Sequence, residues 1–131
     1  MNRIDHHIPD DLLRAYASGG LPYSFSVLIA AHISLCDECR AQCEAEELVA
    51  GALLEQEQAV SLSSGARERL LQALPNPPAE PAPLRASGIF PAPVMAALNG
   101  RPPRWRMLGG GIRQQILCDD RDGSLRLLYI P

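Results

Sequence analysis

A histidine and two cysteines lie within eight residues of one another, in the segment His32-Ile-Ser-Leu-Cys36-Asp-Glu-Cys39. Imidazole nitrogen and thiolate sulfur suit zinc, which in structural sites is held by four protein ligands in a tetrahedron. The three side chains share one face if the segment is helical. If the helix breaks near Leu35, the two cysteines can instead wrap around the ion as a turn. In either case the segment predicts three ligands of a zinc site.

The fourth ligand must come from elsewhere in the chain. The histidine pair His6-His7 is a candidate. A metal bound by one of these histidines would connect the N-terminus to the middle of the domain. Cys43 is an alternative, although a free cysteine is more often a small buried apolar residue. A Cys-x-x-Cys pair can also be a redox pair, but a thioredoxin-like motif needs a βαβ context that is not visible around Cys36. On the residues alone, His6, His7 and Cys43 all remain open.

Composition narrows the classes of function. A net charge of −3 does not predict a nucleic-acid-binding surface, and an aromatic content of 5% argues against a stacking platform for single strands. No stretch approaches the roughly 18 apolar residues of a membrane span, and the N-terminus has no signal-peptide core. We therefore expect a cytoplasmic chain that binds neither nucleic acid nor membrane. Its cysteines would stay reduced and serve metal or redox chemistry.

The first 75 residues predict a mainly α-helical domain of three to four short helices. Pro9-Asp10-Asp11 suits a helix start, and Gly19-Gly20 suits its end. Pro22 opens a second helix, whose apolar stripe is predicted to contain Phe25, Leu28, Ile29, His32 and Leu35. So small a domain gains little stability from its core, and a single bound ion would supply the missing part.

Two further helices are predicted beyond the cysteines. The third runs from Asp37 to about Gln58, and the fourth from Ala66 to Leu74. The third carries apolar positions at Ala41, Ala45, Leu48, Val49, Ala52 and Leu53 and several glutamates elsewhere. These glutamates form either a solvated acidic face or a docking surface for a basic partner. The fourth helix is too short to be stable alone and must pack on something.

The amino-acid composition changes after residue 75, where the predicted helices end. Residues 76–103 are rich in proline and predict an extended linker, with Ile89-Phe90 and Val94-Met95 as apolar islands that can dock on a neighbouring surface. Residues 104–131 predict strands at Trp105–Leu108, Ile112–Cys118 and Leu125–Ile130. Since so few strands cannot bury a core, we expect the beginning of a second, incomplete β domain. The less favoured alternative is that the strands pack on the helices.

The ligand pattern resembles that of the zinc-binding anti-sigma factors, whose signature is an upstream histidine, then a histidine, three residues and Cys-x-x-Cys. The opening His6-His7-Ile-Pro-Asp-Asp-Leu-Leu-Arg-Ala-Tyr-Ala and the segment Ala31 to Arg40 are close to the ChrR-type members. The resemblance is strong over residues 5–75 and weaker over residues 104–131, as the first strands of a cupin domain. It implies that the zinc ligands are His7, His32, Cys36 and Cys39.

This resemblance also implies a function. Members of the family sequester a sigma factor of the extracytoplasmic-function type, keeping it from RNA polymerase core and promoter DNA. They bind one structural zinc ion and are not enzymes. In ChrR-like members the cupin domain is associated with the response to singlet oxygen. The chain ends before a cupin could present its own metal ligands, so the expected cupin-like part is truncated.

Two other classes of function stay open at this stage. In a thiol-redox switch, Cys36 and Cys39 would release zinc and form a disulfide on oxidation. In a cupin-type metal enzyme, the helices would be an accessory to the β domain. No nucleophile with a paired base, carboxylate dyad or phosphate-binding loop is visible, so nothing in the sequence supports catalysis.

Overall fold

The computed structural model describes residues 4–74 and 85–131. Five helices precede a three-stranded antiparallel sheet of order β1-β2-β3. The elements are α1 Asp10–Ala17, α2 Tyr23–Ile33, α3 Asp37–Glu55, α4 Ala66–Ala73, α5 Ala92–Ala97, β1 Arg106–Gly109, β2 Ile112–Asp120 and β3 Gly123–Tyr129. The expectation of a mainly helical fold that ends in a few strands is confirmed. Among the described helices, none combines the length and apolar character needed to cross a membrane.

Helices α1, α2 and α3 enclose the first of two small cores. Leu13 of α1 is fully buried at its centre, next to Ile29 of α2 and the cysteines of the α3 region. The first helix begins after Pro9, and its acidic first turn, Asp10-Asp11, complements the positive end of the helix dipole. The predicted start and end of this helix are therefore confirmed.

The predicted apolar stripe of α2 is only partly right. Ile29 is buried, but Phe25, Leu28 and Leu35 are exposed. The other buried residues of this helix are Ser24 and Val27. Because α2 is apolar on nearly every side, periodicity could not identify its buried face. The helix is in fact shared, since one side packs on α1 and α3 and another packs on α5 and the sheet.

The second half of α3 and the whole of α4 leave their apolar side chains in solvent. Helix α3 ends at Glu55, three residues before the predicted end. Leu48 and Leu54 are each 74% exposed, and α4 has no buried residue. Within the described residues α4 packs on no other helix or strand. The apolar positions predicted for α3 are thus helical, but they do not belong to the core.

Helix α5 was not predicted, since it lies inside the range expected to be linker. It begins after Pro91, and its residues Val94 and Met95, followed by Leu98, form the second core. This core packs against Ala31 of α2 and against Leu117 and Leu127 of the sheet. The expected docking of the Val94-Met95 island is confirmed. In the other predicted island, Phe90 packs against the same core, whereas Ile89 is 88% exposed. The proline-rich residues 75–84 lie outside the described residues.

The predicted strands form a meander. Strand β1 pairs with β2 across the Gly109-Gly110-Gly111 bend, and β2 pairs with β3 across a tight turn at Arg121-Asp122. Both ladders contain an irregularity, between Met107 and Gly109 and between Ile116 and Cys118. The sheet contacts α2 through β2 and β3. The strands therefore contact the helices, and the assignment of residues 104–131 to the beginning of a second β domain stays a prediction.

Candidate metal centre

The segment before α1 brings a histidine to the junction between α2 and α3. Residues 4–9 run without regular secondary structure along the first core, and Ile4 and Ile8 pack against it. The backbone N–H of Ile8 donates a hydrogen bond of 3.3 Å to the Sγ atom of Cys39. This contact, together with apolar packing on both sides, holds the adjacent His7 over the two cysteines.

The junction between α2 and α3 positions the other three side chains. His32 lies in the last turn of α2, and its carbonyl accepts the backbone N–H of Cys36 at 2.9 Å. Cys36 caps α3 in an extended conformation, and Cys39 is in the first turn of that helix. The chain therefore does not place the three residues on one continuous helix. It breaks at Ser34-Leu35, as in the second of the two predicted arrangements, and the cysteines form a turn.

Four side chains meet at this junction with the spacing of a metal site. One ligand atom from each of His7, His32, Cys36 and Cys39 lies within 4.8 Å of the other three. The Nδ1 atom of His7 is 3.4 Å from the Cys36 sulfur and 3.6 Å from the Cys39 sulfur. A tetrahedral ion with zinc-like bonds requires nitrogen–sulfur separations of about 3.5 Å. The group can therefore hold a metal ion with little movement.

The imidazole of His32 supports the same interpretation. Its Nε2 atom is buried and has no hydrogen-bond partner among the described residues. A buried polar nitrogen without a partner costs free energy, and few native structures keep one without a reason. A cation next to the cysteine sulfurs would satisfy this nitrogen.

A carboxylate completes the surroundings of His7. The Oε2 atom of Glu38 lies 3.3 Å from Nε2 of His7, the ring nitrogen opposite the one that faces the sulfurs. Histidine ligands commonly hydrogen-bond a carboxylate through the second nitrogen, which fixes the ring and its tautomer. Glu38 is not among the residues that the ligand pattern predicts. Its position between the two cysteines of the Cys-x-x-Cys segment was the available signal.

The two cysteines of the turn differ in their electrostatic surroundings. A hydrogen bond from the backbone N–H of Cys39 lowers the pKa of Cys36, and His7 acts in the same direction. Burial raises the pKa of Cys39, although the backbone N–H of Ile8 opposes this change. The structure therefore stabilises a thiolate at Cys36 more readily than at Cys39, and a cation would favour the thiolate at both.

The other two candidate ligands lie outside this group. Cys43 is buried one turn further along α3, where burial raises its pKa and its sulfur is 4.0 Å from Oε1 of Glu47. It packs in the first core, as free cysteines commonly do. His6 is exposed. Neither belongs to the group of four, and His7 of the histidine pair is the member that the structure brings to it.

A second feature is the surface of α3 that faces away from the core. Glu44, Glu47 and Glu55 flank a shallow groove of about 580 Å³ with an apolar floor that includes Leu48 and Ala52. Glu46 instead pairs with Arg14 of α1, at 3.1 Å. The acidic face predicted from the sequence is thus present, and it includes exposed leucine side chains.

No protein-family model matches the chain, but comparison with individual known proteins finds similar sequences and structures. The anti-sigma-E factor ChrR of Cereibacter sphaeroides is 44% identical over an alignment of 131 positions, which covers 98% of this chain and 62% of that protein. The crystal structure of Rhodobacter sphaeroides SigE in complex with the anti-sigma ChrR contains a similar chain, with a TM-score of 0.76 and 41% identity. That match covers 98% of this chain and 66% of the other. The chain thus spans less than two thirds of the length of these relatives. Sequence and fold therefore agree with those of the anti-sigma factor ChrR over almost all of this chain's own length.

Proposed function

We propose that this chain is an anti-sigma factor, which binds a sigma factor of the extracytoplasmic-function type and keeps it from RNA polymerase core and promoter DNA. The observation that carries the proposal is the similarity in sequence and fold to ChrR, a protein crystallised in complex with SigE. This function requires binding and no chemical step, so we propose that the chain is not an enzyme. It would act in the cytoplasm, where RNA polymerase works.

The exposed apolar helices support a large protein partner. A specific interface buries roughly 1,200–2,000 Å² in total. The second half of α3 and the whole of α4 offer leucines that the described residues do not cover, among them Leu48, Leu54 and Leu70. Exposed apolar side chains in such number are typical of surfaces that bind other proteins. The acidic groove of α3 would complement the basic surfaces with which a sigma factor binds DNA.

We propose further that one structural zinc ion binds His7, His32, Cys36 and Cys39. Two imidazoles and two thiols form a ligand set that suits zinc, and with four protein ligands no position stays open for catalysis. The ion would join the N-terminal segment to the start of α3 and so fix the helices that bind the sigma factor. Zinc would contribute charge neutralisation and rigidity, while the packing of Leu13 and Ile29 sets the helix positions.

The division of the chain is also a proposal. Residues 1–75 would form the anti-sigma domain, residues 76–103 a connecting segment, and residues 104–131 the first strands of a cupin-like domain. The three-stranded sheet supports the last part, and the packing of Met95 near Leu117 and Leu127 joins the end of the connecting segment to this sheet. Release of the sigma factor by an oxidant such as singlet oxygen would depend on this region.

Complex formation with a sigma factor tests the main proposal. The zinc-loaded chain is mixed with purified SigE and with extracytoplasmic-function sigma factors of its own host, and the products are analysed by size-exclusion chromatography with light scattering. We expect a 1:1 complex, together with inhibition of transcription from a promoter that depends on the bound sigma factor. A folded chain that binds none of these sigma factors and does not inhibit transcription would overturn the proposal.

A thiol-redox switch remains a second candidate, because the Cys36 and Cys39 sulfurs lie within 4.8 Å of each other and the pKa of Cys36 is lowered. Two-electron oxidation by a peroxide would join the two sulfurs in a disulfide, reduce the peroxide and release the metal. Metal release by mild peroxide, with recovery after addition of thiol and zinc, would support this function. A metal content unchanged by peroxide would exclude it.

A further inference from the structure

The groove between the end of α5 and strands β1 and β2 differs in charge from the rest of the molecule. Its volume is about 630 Å³, and Arg101, Arg104 and Arg106 line it. The groove has no acidic lining residue, although the chain as a whole has a net charge of −3. Three positive charges at one groove repel one another. An anion bound between them would offset this repulsion.

These arginines also differ from several others in having no side-chain partner among the described residues. Arg14, Arg40 and Arg67 each pair with a carboxylate. The side chains of the three groove arginines form no ion pair and no hydrogen bond with the described residues, 4–74 and 85–131. A guanidinium group presents several N–H donors in a planar fork that matches carboxylate and phosphate groups. The guanidinium N–H groups in this groove are therefore available to donate hydrogen bonds to an anion.

The rim of the groove is held in place by the fold. Helix α5 ends in two residues with positive φ, Asn99 at 54° and Gly100 at 71°, and the N–H of Gly100 donates to the Met95 carbonyl at 2.8 Å. This ending turns the chain back towards the sheet, where two prolines stiffen the path from Arg101 to Arg104. The backbone N–H of Arg104 then donates a hydrogen bond of 2.8 Å to Oε1 of Gln115 on β2.

Two leucines line the groove beside the arginines. Leu98 directly follows α5 and belongs to the second core, and Leu117 lies in β2. Pockets for small molecules are commonly of this size and fix the ligand with a few polar groups. Apolar side chains next to cationic groups suit a ligand that has both a flat or apolar body and an anionic group.

We infer that this groove binds a small organic anion, with its phosphate or carboxylate group held by Arg101, Arg104 and Arg106 and its body on Leu98 and Leu117. The inference does not depend on the proposed binding of a sigma factor, since the groove and the α3 surface share no residue. A bound ligand would contact α5 and both strands, and would therefore stabilise the packing of this helix on the sheet.

Titration of the zinc-loaded chain with three probes tests the inference. Pyrophosphate supplies phosphate charge alone, citrate supplies carboxylates, and ADP combines phosphates with a planar body. Calorimetry at low ionic strength gives the affinities, and amide chemical shifts in NMR spectra locate the contacts. We expect at least one probe to bind, with shift changes concentrated at residues 98–106 and 115–117. The choice among the probes distinguishes phosphate from carboxylate as the anionic group.

Variants make the test specific. The double variant Arg101→Gln and Arg104→Gln should weaken binding of that probe at least about tenfold. Arg67→Gln removes an exposed charge from α4, outside the groove, and should leave the affinity unchanged. The inference is overturned if none of the probes binds, if the shift changes lie outside the groove, or if both variants lose affinity equally. Binding of a hexaglutamate peptide without binding of any small probe would also overturn it, since the groove would then be a docking site for an acidic protein segment.

Discussion

Glu38 lies 3.3 Å from Nε2 of His7, while Nδ1 of the same ring faces the sulfurs of Cys36 and Cys39. A carboxylate in this position can accept a proton donated by Nε2, which would orient the ring and leave Nδ1 available to bind a cation. Glu38 itself is largely exposed, with 74% of its side chain accessible to solvent. Its contribution should thus appear in the affinity of the site for metal and much less in the stability of the fold.

The first prediction concerns Glu38→Gln. The amide keeps the size of the side chain but removes the charge that orients His7, so we expect zinc affinity to fall about tenfold. Competition with a chromophoric chelator measures the change. Glu55→Gln is the matched control, because Glu55 is exposed on the same helix and distant from the junction. Equal affinities of Glu38→Gln and wild type would show that the carboxylate does not orient the ring.

The second prediction compares two buried cysteines of the same region. Cys36→Ser should abolish stoichiometric zinc binding, because the hydroxyl is a poor substitute for a thiolate ligand. Cys43→Ser should retain one zinc ion per chain, since Cys43 lies outside the group of four. Metal analysis of the purified variants under reducing conditions gives the answer. Loss of zinc in Cys43→Ser together with retention in Cys36→Ser would contradict the proposed ligand set.

Removal of the metal from the wild-type chain is the third prediction. The N-terminal segment is attached to α3 mainly through the site and the packing of Ile4 and Ile8. A strong chelator should therefore lower the melting temperature and expose residues 4–9 to protease, and zinc should restore both. A melting curve and a cleavage pattern that do not change with chelator would show that the fold does not depend on a metal.

The exposed leucines of α4 give the fourth prediction. Leu70→Asp should leave the free energy of unfolding within about 0.5 kcal/mol of wild type, because Leu70 is exposed and α4 packs on no other described element. If α4 contacts the sigma factor, the same variant should weaken the complex at least about tenfold. Surface plasmon resonance with immobilised sigma factor measures this effect. Arg67→Gln on the same helix serves as the control, and unchanged affinity of Leu70→Asp would exclude α4 from the interface.

Three of the four side chains of the candidate metal centre could be grouped from the sequence because few side chains suit a metal. His32, Cys36 and Cys39 are close in sequence, so any local structure brings them near one another. The fourth member depends on the path of residues 4–9, which the spacing of residues does not determine. The choice of His7 over His6 and Cys43 came from the resemblance to a family, and the structure places His7 at the site.

The buried face of α2 and the existence of α5 could not be predicted for different reasons. An apolar helix that packs on two cores has no polar side that would indicate its orientation. The sequence therefore does not distinguish the exposed Phe25 and Leu28 from the buried Val27. Helix α5 has only six residues and lies in a proline-rich stretch, where composition indicates an extended chain. Its stability depends on tertiary contacts of Val94 and Met95 with a sheet that is distant in sequence.

The two cores on either side of α2 lead to the last prediction. Leu13→Ala removes the fully buried side chain at the centre of the metal-side core, and Met95→Ala removes the corresponding anchor of α5. Each should cost about 2–5 kcal/mol in the region that it supports. Hydrogen exchange should accelerate in α1 for Leu13→Ala, and in β2 and β3 for Met95→Ala. Met95→Ala should still bind one zinc ion, because its core shares no residue with the group of four. If Met95→Ala instead increases exchange equally in α1 and in the sheet, the two cores unfold as one unit through α2. Stability of the metal site would then depend on the packing of the strands.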